Sequence, residues 1–240
     1  MFLSIIIPSY NESAIIEDSL KKIENFLSKK KFQYEIILIN DGSTDDTLNI
    51  VTQLSSKNPK IRIIDIPHKG KGAAVKKGII ESKAKWNFLC DADLSMPIDE
   101  LDKFLTLISQ DPSVDIIIAN RSDINSNVYK EPRTRHYLGI IFNIFVRLLL
   151  LKNFYDTQCG FKLFKNSTTL KIFKLQKING FCFDVEILYL ANRFKKNIKQ
   201  VPIEWHYNPN SSVRIFNGSK AFIDLVLILI FRIFKKYEIY

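Results

Sequence analysis

Hydrophobic and polar positions in the first half of the chain follow two alternating periods. Short, continuous apolar runs predict five strands, at residues 2–8, 34–40, 61–67, 86–90 and 114–120. Between them, apolar residues recur at helical spacing, most clearly over 12–30 and 73–83. Continuous apolar strands that alternate with helices are typical of a parallel sheet covered on both faces. The pattern therefore predicts an α/β fold built on a mainly parallel sheet.

A polar cluster follows each of these five predicted strands. The clusters read PSYNE, NDGS, HKGKG, DADLS and NRSD in chain order. Turn chemistry alone can place Asn, Asp, Gly and Ser at any one strand end. Ligands of parallel α/β sheets, however, bind beyond the carboxyl ends of the strands. Five clusters in succession therefore favour one site assembled from several loops.

Two strongly apolar segments, 138–151 and 221–234, stand out in the second half of the chain. Each corresponds to roughly four helical turns, fewer than the ~20 residues that a spanning helix needs. Charged residues interrupt or flank both segments: Arg147, Lys152, Asp224, Arg232, Lys235 and Lys236. The segments predict either buried core helices or helices lying in a bilayer surface, and the flanking basic residues favour the surface. The opening residues predict a first strand rather than a signal peptide.

Composition adds one strong constraint, which is charge. The 240 residues carry 35 Lys and Arg against 25 Asp and Glu, a net charge of +10. Such a surplus favours nucleic acids, phosphorylated small molecules or an anionic membrane as partners. The interleaved aromatic and basic residues of a nucleic-acid reader are not evident, so nucleic acid is not expected. Three widely spaced cysteines without a CxxC pair argue against a disulfide framework or a zinc site.

Two carboxylates, Asp91 and Asp93, end the apolar run of the fourth predicted strand. Residues two apart in an extended segment point the same way, so both side chains are expected to project together. Mg²⁺ or Mn²⁺ is usually held by one or two carboxylates, with substrate phosphates completing the shell. The alternative is a pair of turn and helix-capping residues. The preceding HKGKG loop adds lysines and glycines ahead of a helix N-terminus, which suits a phosphate.

Six segments in order resemble the family 2 glycosyltransferases of the GT-A fold: IIIPSYNE, INDGSTDDT, KGKGAAV, DADLS, DTQCGFKLF and FCFDVEILYLA. More narrowly, they are similar to the branch that glycosylates polyprenyl and dolichyl phosphates, above all its glucose-transferring members. The resemblance implies a Rossmann-like, mainly parallel sheet flanked by helices, with amphipathic C-terminal helices. It also implies a metal-dependent, inverting hexose transfer from a nucleotide sugar, with UDP-glucose favoured, on the cytoplasmic face of a membrane. Mannosyl transfer from GDP-mannose, transfer to a glycan hydroxyl and a non-catalytic binding module remain alternatives.

The resemblance also implies roles for individual residues. Those matched to nucleotide-sugar binding are Pro8, Tyr10, Glu12, Asp41, Lys71, Gly72 and Asp91. Asp41 matches the carboxylate that reads the base. Asp91 and Asp93 match the acidic pair that holds Mg²⁺ or Mn²⁺ on the diphosphate, and Asp93 is taken as catalytic. Residues 1–125 are expected to form the nucleotide-sugar half, 126–215 the acceptor half, and 216–240 a membrane-interfacial helix.

An acceptor phosphate requires positive charge rather than a base. A phosphate monoester has a second pKa near ~6, so it is already a nucleophile at neutral pH. Arginine forks are suited to holding it in line with a second anion. The candidates are Arg121, Arg133, Arg135 and Arg214, with Asp156 and Gln158 on the same side. Of these, Arg121 is also taken as catalytic. Arg214 lies in SSVR, where the branch commonly has Ser-Lys-Val.

Asp184 remains ambiguous at this level. In relatives that use hydroxyl acceptors, a carboxylate near this position resembles the general base. With a phosphate acceptor it could instead cap the following helix. The expected partners are a nucleotide sugar, a polyprenyl or dolichyl phosphate and the surface of an anionic membrane; a homo-oligomer is left open.

Overall fold

The computed structural model describes residues 1–129, 132–208 and 217–237. Its strands are β1 (Leu3–Ser9), β2 (Tyr34–Asp41), β3 (Ile61–Ile66), β4 (Trp86–Leu89), β5 (Ile116–Asn120), β6 (Asn127–Tyr129), β7 (Lys162–Lys165), β8 (Ile198–Pro202) and β9 (Glu204–His206). Its α-helices are α1 (Ile16–Ser28), α2 (Thr47–Lys57), α3 (Lys71–Glu81), α4 (Leu101–Gln110), α5 (Arg133–Leu149), α6 (Asn166–Leu175), α7 (Phe183–Arg193) and α8 (Asn217–Ile233). All five predicted strands are present.

Seven strands form one central sheet in the order β3-β2-β1-β4-β7-β5-β8. Strand β7 runs antiparallel to both of its neighbours, β4 and β5, and the other pairs are parallel. Strands β6 and β9 pair separately as a small parallel ribbon. The prediction of an α/β fold with a mainly parallel sheet is confirmed, and the reversed strand β7 is its one departure in the described part of the chain.

Each face of the sheet packs against its own hydrophobic core. In β1, Ile5 and Ile7 point to the core that includes α1, whereas Ile6 points to the core that includes α3 and α7. Alternate side chains of a strand point to opposite faces, so burial of both faces requires an apolar residue at every position. This requirement explains why the predicted strands read as continuous apolar runs.

The two apolar segments form α5 and α8, and each helix buries only one face. Phe142 and Val146 of α5, and Leu225 and Ile228 of α8, belong to the core on the α3 side of the sheet. The ring of Phe222 meets that of Phe142 edge-on, with 5.4 Å between the centroids, so the helices touch. Their outer faces expose many large apolar side chains. The prediction of core helices therefore holds for one face of each helix, whereas contact of the exposed faces with a bilayer stays a prediction.

Among the residues that the structure describes, no helix combines the length and apolar character needed to cross a membrane.

Helix α3 begins earlier than the sequence pattern indicates. Lys71 and Gly72, predicted to lie in a loop, form its first turn. Gly70 is the last loop residue and has φ +109°, a backbone conformation that residues other than glycine rarely adopt. Gly72 is needed for a different reason: an added Cβ would lie 2.7 Å from Phe183 Cβ. The helix thus packs closely against α7 at the point where its N-terminus meets the site.

Candidate active site

A cavity of about 500 Å³ opens at the carboxyl ends of β1 to β4. Four of the five predicted polar clusters contribute to its wall, and helix α8 supplies a further side. The residues that carry its chemistry are Pro8, Tyr10, Glu12, Asp41, His68, Lys69, Lys71, Asp91, Asp93, Lys220 and Asp224. A cavity of this size falls within the range of small-molecule sites.

At one end of the cavity, Asp41 organises the loop that precedes α3. Its buried carboxylate accepts hydrogen bonds from the backbone N–H groups of Lys69 and Gly70, both at 2.8 Å. The Nδ1 atom of His68 lies 2.9 Å from the same carboxylate. The His68 ring stacks on Tyr10, with 4.1 Å between the centroids. This end therefore combines a fixed carboxylate with an aromatic surface, which suits a flat, polar ligand such as a base.

At the other end, the acidic pair faces a lysine. Lys71 Nζ lies 2.6 Å from Asp91 Oδ1, and the Lys71 side chain is largely buried. Burial alone would lower the pKa of Lys71, but the charges of Asp91 and Asp184 outweigh it and raise that pKa. Asp93 accepts a bond from the Ser95 N–H at 3.0 Å. Burial, followed by the charge of Asp91, raises the pKa of Asp93. The pair thus carries more negative charge than its surroundings neutralise.

That uncompensated charge fits a divalent cation. In the described ranges, no three His, Cys, Asp or Glu side chains are grouped closely enough to hold a metal by themselves. Asp91 and Asp93 offer two carboxylates, and Mg²⁺ is commonly bound by that number with substrate phosphates completing its shell. Both residues line the cavity, so they would hold the metal where a diphosphate can share it.

Arg121 does not line this cavity but pairs with Asp156. Its Nε and Nη2 atoms donate to the two carboxylate oxygens at 2.7 and 2.8 Å, a bidentate geometry. The backbone N–H of Arg121 also donates to Asp156, at 3.0 Å. Burial disfavours ionisation of Asp156, but the charge of Arg121 prevails and lowers its pKa. The fifth polar cluster is therefore tied to the segment that leads into β7.

Asp184 forms a buried ion pair that sequence reasoning missed. Lys162 Nζ lies 2.7 Å from Asp184 Oδ1, and both side chains are almost wholly buried. The same Nζ donates to the carbonyl of Cys159. Burial raises the pKa of Asp184 even though Lys162 and Lys71 oppose that shift. Asp184 lies in the first turn of α7, where its carboxylate is shielded from solvent. It thus acts as a counter-charge to both Lys162 and Lys71.

Five further residues were assigned roles from the sequence. Gly72 packs behind its wall, against Phe183. Arg133 and Arg135 fall in the first turn of α5, where the backbone alone is described. Gln158 is partly buried in the segment that precedes β7. Arg214 lies outside the described residues. Their assigned roles stay predictions.

Besides His68, four residues of the site were not singled out as site residues from the sequence. Lys220 and Asp224 of α8 line the cavity, Gly160 packs on Asp91, and Lys162 pairs with Asp184. Asp224 was visible only as a charge within an apolar segment, and Lys162 as one within the FKLF run. Such isolated charges in apolar runs were the available signal, because a charge in a buried run needs a partner.

Comparison with known proteins identifies the class that this fold and site define. Glycosyl transferase family 2 matches residues 4–173, and the chain belongs to that family. Its relatives include the dolichyl-phosphate beta-glucosyltransferase of Trichomonas vaginalis, at 34% identity over 96% of this chain and 72% of the relative. The enzyme of the same name from Dictyostelium discoideum is 36% identical over 91% of this chain and 71% of its own length. The resemblance stated from the sequence is thus confirmed.

Solved structures support the same fold. Mannosyl-3-phosphoglycerate synthase from Rubrobacter xylanophilus superimposes with a TM-score of 0.70, at 12% identity, over 98% of this chain and 75% of that one. Glucosyl-3-phosphoglycerate synthase from Mycobacterium tuberculosis, crystallised with Mn²⁺ and UDP-glucose, gives 0.64 at 16% identity over 94% and 78%. The predicted GT-A architecture is confirmed, and the chain is a glycosyltransferase.

Proposed function

We propose that this glycosyltransferase moves glucose from UDP-glucose to dolichyl phosphate or a related polyprenyl phosphate, with inversion at the anomeric carbon. The cavity carries the proposal, because its two ends match the two ends of a nucleotide sugar. The Tyr10–His68 stack and Asp41 suit a base, and Lys71 with the acidic pair suits a diphosphate. The names of the relatives favour glucose and dolichyl phosphate over the alternatives.

Breaking the bond between glucose and UDP leaves negative charge on the diphosphate. A divalent cation on Asp91 and Asp93 would neutralise part of that charge as a Lewis acid. Lys71 is positioned at the same end of the cavity and adds a fixed positive charge, supported by the helix N-terminus on which it sits. Asp184 holds a counter-charge behind Lys71, so the lysine is expected to stay protonated while it exchanges Asp91 for the diphosphate.

The acceptor half needs no proton acceptor. A phosphate monoester is largely dianionic at neutral pH, since its second pKa is about 6. The buried and ion-paired state of Asp184 supports a positioning role rather than a general base. Arg121, with Arg133 and Arg135 near the start of α5, would provide the cationic side for the lipid phosphate. The bond to Asp156 keeps the Arg121 fork in one orientation.

The exposed faces of α5 and α8 are consistent with a lipid-borne acceptor. They present Leu138, Ile141, Phe145, Leu148, Ile223, Val226 and Ile233 to solvent. Exposed apolar patches of this kind, rimmed by basic residues, mark protein or membrane contacts. We assign them to peripheral contact with the membrane that carries the acceptor, on the side where nucleotide sugars are available.

The deciding experiment offers labelled UDP- and GDP-sugars with dolichyl phosphate in detergent and extracts the organic phase. Label from UDP-glucose should enter that phase in the presence of Mg²⁺ or Mn²⁺, and the product should be β-linked. Label entering from GDP-mannose instead would correct the donor. If label from every donor stayed in water, the lipid acceptor would be wrong, and glycan acceptors would be the next to test.

A further inference from the structure

A second cavity, of about 450 Å³, lies where the C-terminal ends of α5 and α8 meet. Its wall carries three basic side chains, Arg147, Lys152 and Arg232, together with apolar residues of α5. Among the described residues that line it, none is acidic. The cavity is therefore cationic, whereas the site described above holds several carboxylates.

The two arginines are fixed in place by contacts with their surroundings. Arg232 Nη1 donates to the carbonyl of Leu149 at 3.2 Å, which neutralises the exposed C-terminal end of α5. The guanidinium of Arg147 lies over the Tyr155 ring, with Cζ 4.2 Å from the centroid. Its Nε donates to the Lys152 carbonyl at 3.4 Å. A guanidinium carries five N–H donors, so these single bonds orient both groups without exhausting them.

This cavity is separate from the active site. The two share no lining residue. Helix α7 runs between them: Asp184 in its first turn acts electrostatically on Lys71 of the active site, and Asn192 in its last turn lines the second cavity. The eight residue steps from Asp184 to Asn192 span about 12 Å along the helix. An anion in this cavity would therefore not be the phosphate that reacts.

The rim of the cavity is strongly apolar and continuous with the outer faces of the two helices. Leu148 is 73% exposed on α5, and Ile233 and Phe234 are 73% and 69% exposed at the end of α8. Exposed Lys235 and Lys236 follow directly. Apolar side chains beside basic ones are the arrangement of an interfacial surface, where the former enter the acyl boundary and the latter meet phosphates.

We propose that this cavity binds the phosphate headgroup of an anionic phospholipid and so fixes the orientation of the enzyme on the bilayer. The occupant is a bilayer lipid, held by the forks of Arg147 and Arg232 with Lys152 beside them. The proposal does not depend on which sugar or which acceptor the enzyme uses. It requires only that the exposed faces of α5 and α8 rest on a membrane.

The test is co-sedimentation with vesicles of phosphatidylcholine, with and without phosphatidylserine, using the full chain. The Arg147→Gln/Arg232→Gln variant should bind the phosphatidylserine vesicles about 25-fold more weakly, since each basic residue near an anionic surface contributes about fivefold. Binding to pure phosphatidylcholine should not change. Lys22→Gln/Lys29→Gln is the matched control, because these exposed lysines on and after α1 lie on the opposite face of the sheet.

Three results would overturn the proposal. The first is a loss of affinity in the control pair as large as in the arginine pair, which would indicate diffuse charge. The second is wild-type binding by the arginine pair. The third is binding that requires dolichyl phosphate in neutral vesicles and ignores phosphatidylserine, which would make the acceptor the occupant. If removal of the arginines lowers the melting temperature, Lys152→Gln replaces that pair, with an expected loss of about fivefold.

Discussion

The α-carbon of Gly160 lies directly against the carboxylate of Asp91. A Cβ at position 160 would fall 2.0 Å from Asp91 Oδ2, well inside any allowed contact. On its other side, the same carboxylate meets Lys71 Nζ at 2.6 Å. Asp91 is therefore held between a residue that must have no side chain and one that must be cationic. The position of the acidic pair thus depends on the segment that leads into β7.

We predict that Gly160→Ala weakens donor binding and also destabilises the fold. The added methyl group has to displace the Asp91 carboxylate, which should cost about 1–3 kcal/mol of unfolding free energy. Displacement of a metal-binding carboxylate should weaken Mn²⁺-dependent UDP binding by about ten- to a hundredfold. Calorimetric titration and urea denaturation measure the two effects.

Gly139→Ala provides the control for that substitution. No atom lies within 4 Å of a Cβ at position 139, which is exposed in α5. It should leave UDP binding unchanged and stabilise the fold by about 0.4–1 kcal/mol, because alanine restricts the unfolded chain. Equal UDP binding by Gly160→Ala and Gly139→Ala would show that Gly160 does not position Asp91.

Asp93→Asn should abolish most of the transfer activity without destabilising the fold. The amide oxygen can still accept the Ser95 N–H bond, and the repulsion with Asp91 disappears. Stability without metal should therefore equal or exceed that of the wild type. Glucose transfer should fall about a hundredfold or more, since a group that stabilises developing charge is lost. Thermal melting with and without UDP and Mn²⁺ provides the second readout: a shift as large as in the wild type would remove Asp93 from the metal site.

Lys162→Met should be strongly destabilising. Removal of one partner from a buried ion pair typically costs about 3–5 kcal/mol, because the other charge is left uncompensated. Asp184 can then regain stability only by taking up a proton, so the loss should be smaller in acid than at neutral pH. Urea denaturation at several pH values measures this dependence.

The double variant Lys162→Met/Asp184→Leu tests the origin of that loss. Replacement of both partners by apolar residues of similar volume is often neutral, so much of the stability should return. The loss of unfolding free energy in the double variant is compared with the sum of the losses in Lys162→Met and Asp184→Leu. If the two are equal, the residues act independently. Transfer activity should remain low, because Lys71 also loses its counter-charge.

The Arg121–Asp156 pair predicts a defined dependence of stability on pH. The folded-state pKa of Asp156 is lowered, so its carboxylate contributes stability above its unfolded pKa, near ~3.9. That contribution is lost as the pH falls through the folded-state pKa. Asp156→Asn should therefore cost about 3–5 kcal/mol at neutral pH and progressively less in acid. Asp18→Asn, exposed on α1, should cost at most about 1 kcal/mol; a pH-independent difference for Asp156→Asn would contradict the assignment.

The part of the fold that depends on local pattern could be predicted from the sequence. Continuous apolar runs mark strands buried on both faces, and polar clusters at their ends mark the loops that meet at one edge. The direction of β7 could not be predicted, because alternation along a strand is the same whichever way the strand runs. The start of α3 was predicted too late because Gly70 and Gly72 were both taken as loop residues, although they are required for different reasons. Gly70 needs its backbone conformation, whereas Gly72 needs space beside Phe183.

The candidate site also has one part that could be predicted from local sequence and one part that could not. Asp91 and Asp93 are near neighbours in sequence and both line the cavity, but they lie in the turn after β4 and not in an extended strand, so the geometric reason given for their joint projection was wrong. Lys162 and Asp184 are far apart in the chain, and nothing local relates a lysine in β7 to an aspartate in α7. The cavity wall formed by Lys220 and Asp224 has the same origin, since it depends on how α8 packs across the site. Tertiary pairs of this kind are set by packing rather than by pattern.

The reversal of β7 makes the enzyme sensitive to the length of one short segment. Between Asp156 and Lys162, the chain must supply the partner of Arg121, the surface under Asp91 and the partner of Asp184 in that order. Deletion or insertion of a single residue there would move Lys162 to the opposite face of the sheet, because side chains alternate with a period of two. Variation in length should therefore be tolerated in the loops around this segment but not within it.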